Sequence, residues 1–370
     1  MKLIVNILFF IAVSVSLQSQ SADWPLFRGN SNLAGKTDIE IPSSPVLLWS
    51  VSTVTRTKSS PVLSENLIFF GNEKGTLTAI DLSGKTMWKF ETGSTVEAPP
   101  LVFGDKVIIG SFDGVLRAVS RNNGKPAWSY KTDNQIIGSA NFWISGSKSG
   151  IVIGSYDYYL HCVNPSTGKL LWKLETMNYV NGTPAVADNK IVFGGCDGII
   201  RMADPSEGRE TSTVEIGVYI ASSPALSSGK AFFGDYDGNL YCVDLIQKKV
   251  AWEVPASETS GSILGIPAVG FNSVVIGNDD KYLYCYEMSS GKLKWKFRTN
   301  GQIAGSAVIS SSKVLFGSGD GYIYLLSLSD GKQIWNFNAG AAITSSPIVT
   351  KDRFYFLTSD GRLLAFGVKK

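Results

Sequence analysis

Leu101 to Tyr130 reads LVFGDKVIIGSFDGVLRAVSRNNGKPAWSY, and these thirty positions decide the fold. Short apolar runs alternate with turn residues at Gly104-Asp105, Asp113-Gly114 and Asn122-Asn123-Gly124. Asp-Gly and Asn-Gly supply the positive φ that tight hairpins demand. One strand ahead of Gly104 is therefore followed by strands at Lys106 to Ser111, Val115 to Ser120 and Pro126 to Tyr130, joined as an antiparallel meander A-B-C-D.

The same turn recurs outward in both directions. Its Gly, or the residue replacing it, stands at Gly75, Gly114, Tyr158, Gly198, Gly238, Lys281, Gly321 and Gly361, at intervals of 39, 44, 40, 40, 43, 40 and 40. A period near 40 is that of a four-stranded propeller blade. Two further landmarks keep register. Gly-Lys-x-x-Trp ends at Trp88, Trp128, Trp172, Trp295 and Trp335; Trp252 follows Lys248 instead of Gly, and Gly208-Arg209 leads to Ser212 instead of Trp. A Pro or Ala, in most units after a small residue, stands at Pro61, Pro100, Ala140, Pro184, Pro224, Pro267, Ala307 and Pro347. So small a sheet cannot bury both faces alone, so neighbours must stack around a ring. The strand-D Trp suits the wedge between sheets, where it buries on the order of 150 to 250 Å². The last unit stops after Leu363-Leu364-Ala365-Phe366 without a fourth strand, whereas Val46 to Val51 has no unit of its own and carries Trp49, 39 residues before Trp88. The expected fold is an all-β, eight-bladed β-propeller of four-stranded antiparallel blades, closed by this N-terminal strand, which removes an exposed edge.

At 370 residues the chain exceeds a single core, which a repeat architecture accommodates. Lys and Arg number 34 against 31 Asp and Glu, a net +3 spread evenly, which is no nucleic-acid footprint. The one histidine, His161, excludes a multi-histidine metal site. Met1-Lys2, an apolar run from Leu3 to Leu17 and a polar, small-residue stretch to Ala22 have the layout of a secretory signal peptide. The expected organisation is a signal peptide at 1–22, a leader at 23–45 packed on the propeller, and the propeller at 46–370. The apolar run is too short to span a bilayer comfortably, and no cysteine precedes Cys162. The mature chain is thus expected to lack a transmembrane segment and a lipid-anchor cysteine, and to be exported to the periplasm, with secretion or the cell surface as the alternative. Cys162, Cys242 and Cys285 share one repeat position and Cys196 stands alone in a turn, so all four are read as unpaired small hydrophobes.

The segment that opens at Cys162 also carries a family resemblance. Cys162-Val163-Asn164-Pro165-Ser166-Thr167-Gly168-Lys169-Leu170-Leu171-Trp172, repeated through the chain, resembles the tryptophan-docking repeat of the PQQ-type β-propeller superfamily, and Trp24-Pro25-Leu26-Phe27-Arg28-Gly29 is similar to openings seen there. Length and repeat layout are closest to its BamB-like outer-membrane protein assembly factors. That resemblance implies a non-enzymatic scaffold with a protein partner, the periplasmic domain of an outer-membrane assembly protein, and no cofactor. A ligand- or glycan-binding propeller is the alternative, and a PQQ-dependent quinoprotein dehydrogenase the third; the enzymes' adjacent Cys-Cys pair and long insertions are missing here.

Several residue sets compete as sites. Asp113, Asp157, Asp197, Asp237, Asp280, Asp320 and Asp360 would line one rim, but Asp suits such turns for local hydrogen bonds, and one per blade is too sparse for a single Ca²⁺. Lys85, Lys125, Lys169, Arg209, Lys249, Lys292 and Lys332 follow the C-D turns and gather on the opposite rim as a solvated face. His161 fills a strand-C slot held elsewhere by Arg or Tyr and is expected to pack between blades. Trp143 falls outside the Trp register, between strands A and B of blade three, with no role apparent. The partner-binding candidates are Tyr156 and Tyr158 in the third B-C turn, Tyr236 in the fifth, and Tyr179 and Tyr219 in the loops entering blades four and five. Exposed tyrosine favours protein hot spots and sugar platforms. Trp49, Trp88, Trp128, Trp172, Trp252, Trp295 and Trp335 are the structural blade-docking set.

Overall fold

The computed structural model describes residues 23–53, 55–220, 222–255 and 261–369; the expected signal peptide lies outside them. Its strands form eight four-stranded antiparallel sheets. Blade three is typical: strand A is Asn141–Ser145, B Lys148–Gly154, C Tyr159–Val163 and D Leu170–Glu175. In blade eight, strands Ile348–Val349, Arg353–Leu357 and Arg362–Gly367 take Val46–Ser52 as their fourth member. Ring closure by the N-terminal strand is as the Trp49 register predicts. Along strand D, exposed and part-buried positions alternate, as in TMWKFE at Thr86–Glu91. Strands B and C are buried throughout their centres, because neighbouring sheets cover both faces.

The seams show what the Trp and Gly landmarks do. Each indole N–H donates to a carbonyl in the C-D turn of the next blade: Trp49 to Leu82, Trp88 to Arg121, Trp128 to Pro165, Trp172 to Pro205, Trp252 to Met288 and Trp295 to Leu328, at 2.9–3.2 Å. The ring lies on the glycine of that turn. At Gly168, whose φ is +68°, an added Cβ would sit 2.6 Å from the Trp128 ring, so this position needs glycine for conformation and for space. Within its own sheet the Trp stands opposite a small residue, Ala79, Ala118, Cys162, Cys242 or Cys285. That placement explains the shared register of three cysteines, whose thiols are buried and unpaired.

Blade four breaks the pattern on both sides of its seam at once. Ser212 replaces the Trp, Lys248 (φ +57°) replaces the receiving glycine in blade five, and the larger Met202 stands opposite Ser212. Donor ring and receiving space are absent together, which is what a paired interaction requires.

Trp143 lies within strand A of blade three, not between strands A and B as expected, because that hairpin stays paired out to Ser145 and Lys148. Its indole N–H faces Cys162 Sγ at 3.4 Å over Gly150, filling the space a side chain there would take.

The leader does more than pack on the ring. Strand A is the innermost strand of each blade, and its axis-facing N–H groups have no strand partner. The leader supplies carbonyls to them in chain order: Pro25 to Val102, Ser31 to Val186, Asn32 to Leu226, Ala34 to Val269 and Gly35 to Ile309, while Trp24 and Leu63 exchange both bonds. Asn141 in blade three reaches Ser31 O with its amide. One short segment therefore ties blades one to seven before the chain enters blade eight as its outer strand.

If ring-on-glycine docking is the unit of seam stability, Ser212→Trp with Lys248→Gly raises unfolding stability by about 1–2 kcal/mol. Ser212→Trp alone gives no gain, since the Lys248 Cβ occupies the docking space. Equilibrium denaturation of the two single variants and the double variant measures the coupling.

Candidate protein-binding rim

B-C turns and D-A loops share one end of the disc, and their geometry is set locally. In most blades the B-C turn ends in a glycine at positive φ, as at Gly114 (+73°). The Asp before that glycine caps the turn and grips a strand-C side chain four residues on. Asp113 pairs with Arg117 at 2.5 Å, Asp197 with Arg201 at 2.7 Å, and Tyr284 and Tyr324 donate to Asp280 and Asp320. Burial would raise the Asp113 carboxyl, but bonds from Arg117, Ser111 and the Val115 N–H hold it at about 2. In blade five this role falls to Asp235, which is fully buried and accepts from Tyr241 and Asn239; Asp237 beside it is exposed. Apart from exposed Asp237, these rim aspartates are thus engaged by neighbouring donors, and among the described residues no three His, Cys, Asp or Glu side chains converge on a metal position.

His161 takes the same slot in blade three. Its Nε2 faces both Asp157 oxygens at 3.1 Å, and its Nδ1 lies 2.9 Å from the Tyr130 hydroxyl of blade two. A carboxylate only accepts, so in the neutral ring Nε2 carries the proton and Tyr130 donates to Nδ1. Burial opposes the Asp157 charge, yet the His161 bond and the backbone N–H groups of Asp133 and Tyr159 bring its pKa below the usual value. Burial, then the charges of Asp157 and Asp133, push the Tyr130 phenol up to about 12. The residue ties two blades, matching its expected packing role.

On the axis, the Ser or Thr that precedes the strand-A Pro or Ala in six of the eight blades links neighbouring blades by hydroxyl bonds. Ser139 N–H donates to Thr183 Oγ1, Thr183 N–H to Ser223 Oγ, Ser306 N–H to Ser346 Oγ and Ser346 N–H to Ser60 Oγ. The channel mouth holds the ion pair Lys58–Glu97 at 3.0 Å, and Phe27 of the leader lines the same cavity of about 240 Å³. Its lining is mostly small residues and hydroxyls, which sequence inspection did not single out as a site.

The tyrosines occupy one sector of the rim. Tyr156 and Tyr179 stack at 4.5 Å between ring centroids with planes 20° apart, and Tyr158 lies 5.2 Å from Tyr179. Repulsion from the charge of the neighbouring Tyr158 phenol, then a side-chain hydrogen bond with it, raise the Tyr179 phenol above its ordinary range. Tyr219 and Tyr236 are joined through Tyr236 N–H to Tyr219 O at 3.1 Å and are 60% and 54% exposed. The first three candidates therefore touch one another, while the other two form an adjoining pair. Tyr158 sits at φ +75°, where blade six holds Lys281 (φ +72°) and the other six blades hold glycine, and a β-carbon in that region costs roughly 1–2 kcal/mol. Of two exposed apolar side chains that the sequence does not single out, Met177, 81% exposed in the loop before Tyr179, extends the surface, and Leu264, 46% exposed in the loop entering blade six, lines the axial cavity. Single apolar loop residues carry no periodic signal, so only the folded rim reveals them.

The lysines following the C-D turns lie at the opposite end, most of them exposed; Lys332 pairs with Asp330 and Arg209 with Glu207 in their own turns. No helix among the described residues is long and apolar enough to cross a membrane.

Comparison with known proteins places this geometry. The family model described as outer membrane protein assembly factor BamB, a PQQ-type repeat model, matches residues 44–148, 139–262 and 196–369. The BamB of Nitrosomonas eutropha (strain DSM 101675 / C91 / Nm57) is 26% identical over 85 residues, which is 23% of this chain and 21% of that protein. The match thus spans about a fifth of that relative's length. The crystal structure of BamB from Moraxella catarrhalis superposes with a TM-score of 0.74 at 17% identity, covering 88% of this chain and 98% of that one. Quinohemoprotein alcohol dehydrogenase from Comamonas testosteroni superposes at 0.78 with 12% identity, covering 94% and 81%. At such identities the superpositions speak to the fold. The repeat matches run from strand D of blade eight to the end of blade eight, and the chain belongs to the PQQ-type β-propeller family that this BamB model describes.

Proposed function

We propose that this chain is a non-enzymatic exported scaffold that binds a protein partner through the tyrosine sector, with a BamB-like role in outer-membrane β-barrel protein assembly. The observation that carries the proposal is the aromatic surface of exposed Tyr158 and Tyr179 on half-buried Tyr156, adjoined by exposed Tyr219 and Tyr236, on a rim that is otherwise rich in short polar turns. Tyrosine supplies large contact area at small conformational cost, and hot spots are enriched in it. The family match supports the scaffold role. The rigid ring presents the sector preorganised, so little ordering entropy opposes docking.

Tyr158 supplies a second argument. A bulky residue is kept at a left-handed position where glycine would relieve strain, which points to a use for the ring. The partner is expected among periplasmic domains of outer-membrane assembly proteins.

Affinity purification of the tagged chain from its native envelope in mild detergent should recover β-barrel assembly components that Tyr156→Ala/Tyr179→Ala/Tyr219→Ala loses; recovery of no protein by the unsubstituted chain overturns the proposal. Tyr158→Gly and Tyr158→Ala should weaken capture alike, because both delete the ring, while urea denaturation finds the glycine variant more stable than the alanine variant by about 1 kcal/mol.

A further inference from the structure

The charge around the tyrosines selects among partners. In blades three to six, the B-C turns and D-A loops of this face contain Asp133, Asp157, Asp197, Asp235, Asp237, Asp279 and Asp280, and of Lys and Arg only Lys281. Arg201 neutralises Asp197 from strand C, but Asp235 is buried on neutral donors, and Asp237 is exposed beside Tyr236. Burial, then the neighbouring Asp280, raises the Asp279 carboxyl, the mark of an acidic neighbourhood. The acids interleave with the rings. Asp157 lies between Tyr156 and Tyr158 in one turn, and the Asp197 carboxylate accepts from the N–H of Met177, two residues before Tyr179. An aromatic surface whose neighbouring fixed charges are negative attracts cations twice: the phenol faces offer their quadrupole and the carboxylates their field.

Resting on the reading of this sector as a protein-binding rim, we propose that its partner is a basic segment, an extended loop or strand whose Arg and Lys side chains lie over the exposed phenol faces and between the aspartates. The apolar stems of those side chains match Met177 and the ring edges, while their cationic heads reach exposed Asp237 and feel the field of the buried Asp157 and Asp235. An acidic segment meets like charge at the same place and is rejected. A neutral sugar can donate hydroxyl hydrogen bonds to the acids but gains no charge attraction from them, so the charge pattern favours the basic peptide over a glycan.

The test uses the purified chain and fluorescein-labelled twelve-residue peptides, (Gly-Arg-Ser)4 and (Gly-Glu-Ser)4, read by fluorescence anisotropy. Saturable binding of the arginine peptide and none of the glutamate peptide is expected. Tyr179→Leu should weaken the arginine peptide about fivefold while Tyr179→Phe, which keeps an aromatic face, stays close to the unsubstituted chain. Asp237→Asn should weaken it about two- to fivefold, with the loss shrinking as salt is raised. All three substitutions are at the surface, and unchanged thermal melting confirms that the ring is intact. Absence of arginine-peptide binding, equal binding of the glutamate peptide, or equal affinity in Tyr179→Leu and Tyr179→Phe overturns the inference. If envelope capture still depends on the tyrosines while the arginine peptide fails, the basic-partner inference falls and the scaffold reading stands. If the peptide binds as expected and no envelope protein is captured, the scaffold reading falls instead.

Discussion

An indole lying on a glycine of the next blade is the interaction on which the rest of this ring depends. Neither partner works alone. The turn must hold a residue at positive φ with no Cβ, as at Gly168, and the preceding blade must present a ring whose N–H reaches a carbonyl of the same turn. Among the described residues six seams are made this way, and the seam between blades seven and eight is filled instead by Trp335 against Phe354 and Phe366. At the exit from blade four both halves of the pair are replaced, Trp by Ser212 and glycine by Lys248, so ring and receiving turn behave as one unit. Seam docking fixes the spacing of blades on the outer circumference; the leader and the chain of hydroxyls do so at the axis. With both radii fixed, rim loops from different blades are held in constant relation, which is what a surface assembled from five tyrosines on three blades needs.

The blades were legible because their determinants are local and periodic. Asp-Gly and Asn-Gly turns, the Gly-Lys-x-x-Trp tail and the Pro or Ala at each strand-A entry recur about every 40 residues, and a repeat of that length has few ways to bury its faces. The path of the leader was not legible. Residues Trp24 to Thr37 have no periodic pattern of their own; their course follows the unpaired N–H groups of strands A, which exist only once the blades have formed a ring. The rim aspartates show a similar limit. Sequence placed them on one rim, but their side chains turn back onto Arg117, His161 and Arg201, and in blade five the buried acid is Asp235, two residues before the Asp237 that the register suggests. Trp143 was placed outside strand A because hairpin length cannot be read from Ser-Gly-Ser alone.

For the candidate surface, the tyrosines of one hairpin and its neighbouring loop could be grouped from sequence, since B-C turns and D-A loops must emerge at the same end of a meander. How they touch could not be read. That Tyr156 and Tyr179 stack while Tyr219 and Tyr236 form a separate pair depends on the angle between adjacent blades. Met177 joins the surface for the same reason, as exposure is a property of the closed ring. The dehydrogenase neighbour shares the ring at high coverage, so the ring says little about chemistry; loops on the rim carry what is particular to this chain.

The two irregular blades are also the two that bear Tyr179, Tyr219 and Tyr236. At the seam between blades four and five the outer pin is missing at the end opposite the rim, and bonds remain near the axis: Ser31 and Asn32 of the leader on Val186 and Leu226, and Thr183 N–H on Ser223. That seam is therefore held from the inside, by the leader and the axial hydroxyls, and at the rim by Tyr236 N–H on Tyr219 O. Six other seams add the outer Trp-on-Gly pin, and the seam between blades seven and eight adds Trp335 on Phe354 and Phe366. The inner bonds thus do for Tyr179 and Tyr219, which enter blades four and five, what the outer pin does elsewhere: they keep loops of neighbouring blades in a fixed relation.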